Sequence, residues 1–257
     1  MSGAGPDLVT RMARGEADLR AAQRLRYEVF VEELGGDGPL VDHAARLERD
    51  AFDGFTDHLL LCDRARAPGE EVIAVYRLMR ADQAAAAGGF YSASEFDLGP
   101  LERSGRRLLE LGRSCLHRDY RGGQGMYLLW AALADYVAEH EIDILFGVAS
   151  FHGTDPAPLE PALSLLHARH LAPETLRVRA RAPGFQPMDI LPEERIDRRA
   201  AMAQIPALIK GYLRLGGMVG EGAFIDRAFN TIDVCLILDT VRLDETRRRI
   251  YSRSAAG

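Results

Sequence analysis

The amino-acid sequence predicts an α/β fold built on a mixed sheet. Two apolar runs, at 58–63 and 72–79, are joined by a Pro-Gly turn, a pattern typical of an antiparallel strand pair. Between residues 107 and 151, a strand, a glycine-rich loop, a helix and a second strand follow one another. Such a crossover unit places two parallel strands in one sheet, with its loop at their carboxyl ends.

Hydrophobic periodicity defines the elements around this pair. Residues 8–13 predict an opening strand, and apolar residues at helical spacing predict a helix over 17–34, which glycines then end. Residues 40–57 form an Asp-rich loop. A polar, glycine-bearing stretch at 81–106 leads to a third strong strand at 107–116.

The rest of the chain continues the alternation. Helices are predicted at 126–140, 159–170 and 206–215. Strands are predicted at 142–151, 219–226 and 232–239, the last two as a hairpin. Residues 173–195 show no periodic pattern. Because no repeat or linker interrupts the chain, we expect one domain over residues 1–257, with a core at about 8–156 and a C-terminal extension at about 157–257.

Composition narrows the function classes. A formal net charge of −6 argues against nonspecific nucleic-acid binding. Lys210 is the only lysine, so cationic contacts fall to arginine, whose guanidinium group suits phosphate and carboxylate. The separated cysteines Cys62, Cys115 and Cys235 predict reduced core residues. Together with the lack of a secretion signal, they predict a cytoplasmic protein.

A glycine-rich loop with two arginines is a candidate phosphate site. Its residues are Arg118, Arg121, Gly122, Gly123, Gln124 and Gly125. Glycines let backbone N–H groups approach an anion, and the start of the following helix favours negative charge. The alternative is a tight connection without a ligand.

Three further groups of residues could carry chemistry. Glu110 stands among apolar neighbours, where burial favours a general base; the alternative is a surface ion pair with Arg113. The acidic residues of the Asp-rich loop, and later Asp226 and Asp233, either solvate their loops or bind a cationic substrate. The histidines have no metal-ligand spacing, so we expect no metal site.

The loop and its flanking strands resemble GNAT-fold acyltransferases. Segments 25–30, 48–53 and 110–113 also resemble acyl-homoserine-lactone synthases, which are GNAT relatives. A closer resemblance, to the hemolysin-like L-ornithine Nα-acyltransferases of ornithine-lipid synthesis, covers nearly the whole chain. The segments that carry it are 30–35, 57–59, 109–114, 146–156, 206–216 and 226–234.

This resemblance implies a GNAT-like sheet whose central parallel strands splay apart. It implies transfer of a 3-hydroxyacyl group from acyl carrier protein to the α-amine of L-ornithine, with Glu110 accepting the amine proton. The glycine-rich loop with Arg118 and Arg121 would hold the phosphate of acyl-phosphopantetheine, a co-substrate, and no cofactor is permanently bound. Contact with the inner face of the cytoplasmic membrane is expected because the product is amphiphilic.

The charges of individual side chains suggest contacts for this substrate. The ammonium groups of ornithine are expected at Asp50, Asp53 and Asp233, and its carboxylate at Arg26 or Arg113. The alternatives are an acyl-homoserine-lactone synthase, an acyl-CoA-dependent N-acetyltransferase of a small amine, and a non-enzymatic module that binds acyl carrier protein or lipid.

Overall fold

The computed structural model describes residues 5–243, which form two compact units. The first unit holds residues 5–87 and 111–141, and the second holds 88–110 and 142–243. The single domain and its core and extension boundaries stay a prediction. The end of that extension, residues 244–257, lies outside the described residues.

Strands and helices alternate along the chain. The strands are β1 (Leu8–Met12), β2 (Asp57–Asp63), β3 (Val72–Arg80), β4 (Phe96–Asp97), β5 (Leu108–Leu116), β6 (Ile144–His152), β7 (Arg179–Ala180), β8 (Phe185–Gln186), β9 (Met218–Val219), β10 (Ala223–Asp226) and β11 (Thr231–Asp239). The α-helices are α1 (Gly15–Arg26), α2 (Ala81–Ala87), α3 (Gly99–Glu102), α4 (Gly125–Glu139), α5 (Glu160–His170), α6 (Arg198–Gln204) and α7 (Ala207–Arg214).

In the first unit the strand order is β1, β2, β3 and then β5. The first two pairs are antiparallel, as the Pro-Gly turn between β2 and β3 predicts. Both β2 and β3 are buried along almost their whole length, so they contribute a large part of this unit's core. The helix α4 begins at Gly125, where an added Cβ would lie 3.2 Å from Leu116 Cδ1 and 3.3 Å from Leu61 Cδ2.

In the second unit the strand order runs β5, β6, β11, β10 and β8. Residues 108–110 of β5 pair in parallel with residues 144–146 of β6, the first three residues of each strand. This confirms the predicted crossover unit. The remaining pairs are antiparallel, and β10 with β11 forms the predicted hairpin.

Several elements differ from the sequence-based expectations. The stretch 81–106 holds α2, β4 and α3, which are too short to show a period. The strand expected at 219–226 is divided into β9 and β10, because Gly222 lies between them with a φ of +74°. The helix α6 also has no counterpart among the predicted elements.

In the first unit, helix α1 and strand β5 each depart locally from regular geometry. The helix α1 continues as a π-helix over Tyr27–Glu33, a form often found at functional sites. Arg113, within β5, has a φ of 51°, which is strained for a residue with a side chain. Among the described residues, no helix is long and apolar enough to cross a membrane.

Candidate active site

A buried network of charged side chains joins four of the predicted substrate residues in the first unit. Arg26, which is fully buried, donates through Nε to Glu48 and through Nη1 to Asp53 Oδ1 at 2.6 Å. Arg113 Nε lies 3.1 Å from Glu48 Oε1, and its Nη2 lies 3.1 Å from Asp50 Oδ2. Each carboxylate of the network therefore has a guanidinium partner.

A third arginine completes this network. Arg77 Nη1 forms an ion pair with Asp50 Oδ2 and lies 3.8 Å from Asp53 Oδ1. Burial opposes the ionisation of Asp50, but the Arg77 and Arg113 charges outweigh it and hold the pKa of Asp50 below its usual range. Burial likewise opposes ionisation of Asp53, and Arg26 outweighs it, so the pKa of Asp53 is also lowered.

The conformation of β5 and the Asp-rich loop makes these pairs possible. The left-handed backbone at Arg113 interrupts the alternation of the strand and changes the direction of its side chain. In the loop, Gln23 Nε2 donates to Asp53 Oδ2 at 2.8 Å, and Phe52 N donates to Asp50 Oδ1 at 2.8 Å. The predicted contacts of these residues with ornithine stay predictions, and the network shows that they are partners of one another.

The glycine-rich loop lies between β5 and α4 with its two arginines exposed at the surface. Gly122 has a φ of +78° and Gly125 packs closely on Leu116 and Leu61, so backbone geometry and packing account for these two glycines. Arg121 Nη2 lies 2.8 Å from Glu33 Oε2, at the end of the π-helix. The predicted role of the loop in phosphate binding stays a prediction.

Glu110 is buried in the second unit, where its carboxylate accepts three hydrogen bonds. Oε2 accepts from the backbone N–H of Tyr91 at 2.8 Å. Oε1 accepts from the N–H of Ser92 at 2.6 Å and from the Ser92 hydroxyl. Such bonds stabilise the ionised carboxylate. Burial raises the pKa of the Cys235 thiol, and the nearby negative charge of Glu110 raises it further.

Asp233 lies in a cluster of three carboxylates in the second unit. Oxygen atoms of Glu95, Asp226 and Asp233 lie within 4.8 Å of one another, and Glu95 and Asp233 are buried. Like charges this close repel, and a cation between them relieves the repulsion. Carboxylate oxygens suit an ammonium group and a hard metal ion alike; the expectation of no metal stays a prediction.

The cluster borders a polar face of the β6–β11 pair. Ser150 lies opposite Asp233, and His152 lies opposite Thr231, so the four side chains share one face of the sheet. The Thr231 hydroxyl donates to Asp233 Oδ2 at 3.1 Å. Sequence reasoning missed His152 and Glu95. The register of β6 on β11 is the signal that could have found His152.

Comparison with known proteins identifies the fold. The sequence matches the acetyltransferase (GNAT) domain family over residues 25–131. The structure is similar to that of FeeM, an N-acyl amino acid synthase from uncultured soil microbes, with 13% identity, 93% of each chain covered and a TM-score of 0.54. It is also similar to the AHL synthase LasI, with 15% identity, 96% and 95% of the two chains covered and a TM-score of 0.51. The predicted GNAT-like fold class is therefore confirmed.

Sequence comparison identifies the family. The chain is 60% identical over 250 residues to the L-ornithine N(alpha)-acyltransferase of Rhodobacter capsulatus, and the match covers 96% of this chain and 95% of that protein. The match therefore includes residues of both units of the chain. The chain is an acyltransferase and belongs to the L-ornithine N(alpha)-acyltransferase family.

Proposed function

We propose that this enzyme transfers a 3-hydroxyacyl group from acyl carrier protein to the α-amine of L-ornithine and so forms lyso-ornithine lipid. The observation that supports ornithine as the acceptor is the near full-length match to the Rhodobacter capsulatus protein named L-ornithine N(alpha)-acyltransferase. In this reaction the amine nitrogen bonds to the thioester carbon, the carbon–sulfur bond breaks, and the carrier thiol is released.

Proton removal is the first chemical requirement. An α-amine with a pKa of about 8 is only about 10% neutral at pH 7, so a base must take its proton before or during the attack. We assign this proton to Glu110, directly or through a water molecule. The three hydrogen bonds from Tyr91 and Ser92 fix the position of its carboxylate.

Substrate selection requires negative charge for the ammonium groups of ornithine. We assign it to Asp233, supported by Glu95 and Asp226 beside it. The charges of Asp50 and Asp53 already meet buried arginines, so these two residues are weaker candidates for direct contact. Lysine has the same two ammonium groups on a longer chain and glutamine lacks one, so both are informative competitors.

Donor binding requires a site for the phosphate of the pantetheine arm. We assign it to Arg118 and Arg121 and the loop between them and α4. Their exposed guanidinium groups provide local positive charge on a protein whose net charge is negative. This local positive charge would also favour the approach of an acidic carrier protein.

A competition assay tests the proposal. The protein is incubated with an equimolar mixture of ornithine, lysine and glutamine and with either 3-hydroxyacyl carrier protein or 3-hydroxyacyl-CoA, and products are identified by mass spectrometry. We expect acyl-ornithine as the main product. A main product on another amino acid would overturn the acceptor assignment, and activity with acyl-CoA but none with acyl carrier protein would overturn the donor assignment.

The same assay separates the enzyme from a binding module. Carrier protein that binds without any acyl transfer would identify a non-enzymatic role. Acylation of a different amine substrate that then closes to a lactone, with no acylation of ornithine, would instead favour the acyl-homoserine-lactone synthase alternative.

A further inference from the structure

Glu33 forms ion pairs with both arginines of the glycine-rich loop. Its Oε1 lies 3.4 Å from Arg118 Nε, and its Oε2 lies 2.8 Å from Arg121 Nη2. The Glu33 side chain is 18% exposed, whereas the side chains of Arg118 and Arg121 are 61% and 46% exposed. One acidic side chain therefore makes the contacts that a bound phosphate would make with the same guanidinium groups.

We propose that Glu33 is an internal anion that the phosphate of the donor displaces from Arg118 and Arg121. This inference rests on the donor site proposed above and adds a residue that sets its affinity. The phosphate of the carrier-linked arm is a diester with one negative charge, as on a carboxylate, and two free oxygens that can accept hydrogen bonds from both guanidinium groups. It can therefore replace Glu33 on both arginines in an exchange of equal charge.

The exposure of these pairs makes displacement inexpensive. An ion pair whose arginine is exposed contributes little to stability, because water solvates the separated guanidinium group well. The Arg26 and Glu48 pair shows the contrast, since both of its side chains are almost completely buried. We therefore expect phosphate to displace Glu33 from the exposed arginines of the glycine-rich loop and to leave the buried Arg26–Glu48 pair unchanged.

The loop keeps its shape when Glu33 leaves. Arg121 Nε donates to the carbonyl oxygen of Leu116 at 3.1 Å, which holds the guanidinium group in place independently of Glu33. The Tyr120 hydroxyl donates to Asp63 Oδ2 at 2.6 Å and anchors the loop to β2. The arginines therefore stay available for the incoming phosphate.

Binding of two small probes tests the displacement. Dissociation constants of 4′-phosphopantetheine and pantetheine are measured by calorimetry for the wild type, Glu33→Gln and Glu32→Gln. The control residue Glu32 is the neighbour of Glu33 and pairs with Arg46 at 2.7 Å. We expect Glu33→Gln to tighten 4′-phosphopantetheine binding by about two- to fivefold and to leave pantetheine unchanged. Glu32→Gln should change neither.

Salt provides a second readout. The affinity gained in Glu33→Gln should shrink as ionic strength rises, because it comes from charges near the surface. If circular dichroism shows that Glu33→Gln does not fold, Glu33→Asp replaces it, since a shorter carboxylate weakens both pairs; a smaller gain in the same direction is then expected.

Three outcomes would overturn the inference. Equal 4′-phosphopantetheine binding in Glu33→Gln and the wild type would show that Glu33 does not compete. Weaker binding would show that Glu33 supports the arginines. A wild type that does not distinguish the two probes would remove the phosphate role of the loop as well, whereas the acceptor and acyl transfer are judged separately by the competition assay.

Discussion

Glu110 combines two tasks that a substitution can separate. Its carboxylate anchors Tyr91 and Ser92 at the start of a 3₁₀ turn, and the proposed reaction also uses it as a base. An anchor needs hydrogen-bond acceptors, whereas a base needs a proton affinity that glutamine lacks. Removing one donor while keeping the carboxylate therefore distinguishes the tasks.

We expect Glu110→Gln to lower kcat by about 10²–10⁴-fold, the usual contribution of a general base. Ser92→Ala keeps the carboxylate and removes the hydroxyl that donates to it, so kcat should fall less than tenfold. Steady-state kinetics with saturating donor and acceptor measures both values, and melting temperatures measure the anchoring effect. Equal losses of kcat in the two variants would assign Glu110 to anchoring alone.

The sequence predicts a buried Glu110 correctly, because its neighbours in the strand are apolar. It does not predict the partners. Tyr91 and Ser92 lie in the polar stretch before β5, where short helices leave no periodic pattern. The hydrogen bonds from Tyr91 and Ser92 to Glu110 depend on how this stretch folds back against β5, and the local sequence does not encode that placement.

At the scale of secondary structure elements, Glu48 connects helix α1 to strand β5. Its carboxylate meets Arg26 at the end of the helix and Arg113 in the strand. The burial of these groups means that neither arginine can exchange the carboxylate for water. The Asp-rich loop thus acts as a structural connector between elements.

We expect Glu48→Gln to lower the free energy of unfolding by about 3–5 kcal/mol, because it leaves buried arginine charge uncompensated. Glu16→Gln is the matched control: Glu16 pairs with Arg20 at 2.7 Å on the exposed face of α1. Its loss should cost at most about 0.5 kcal/mol. Urea denaturation measures both, and equal costs would contradict the role assigned to Glu48.

Long strands and helices with a clear hydrophobic periodicity could be predicted from the sequence, and short ones could not. The strands β2, β3, β6 and β11 and the helices α4 and α5 lie within a few residues of their predicted positions. The sequence gives no sign that α1 becomes a π-helix at Tyr27. Tyr27 and Val29 in this π-helix are buried.

For the whole molecule, buried ionisable groups predict a loss of stability in acid. Burial lowers the pKa of His58 below its usual range, and the charges of Arg26 and Arg77 add to this effect. The unfolded chain therefore binds a proton at His58 more readily than the folded protein. Stability attributable to this group is complete above about pH 6.5 and falls as the pH decreases below it.

We expect the melting temperature of His58→Gln to fall less than that of the wild type between pH 7 and pH 5. His170, whose pKa burial also lowers, contributes equally to both proteins. A further loss below about pH 4 should remain in both, because the lowered pKa values of Asp50 and Asp53 stabilise the fold only above that range. Calorimetric scans across pH measure this, and parallel curves would contradict the prediction.

Across the whole molecule, the sequence predicts the residue types of the candidate site better than their neighbours. Asp226 and Asp233 come together through a hairpin that turn residues predict. Glu95 joins them from far earlier in the chain, and only the tertiary fold brings it there. The substrate contacts of Arg26, Asp50, Asp53 and Arg113 stay predictions, and their pairing with one another depends on the tertiary fold, which the sequence does not show.

Two structural requirements act on Arg113, one on its backbone and one on its side chain. Its positive φ suits glycine or asparagine, while the carboxylates of Glu48 and Asp50 require a guanidinium group. A replacement that relaxes the main chain abandons both acids, and lysine retains the strain without the planar fork that reaches them both. None of these three replacements therefore meets both requirements, and each should cost either the two ion pairs or the geometry that joins them.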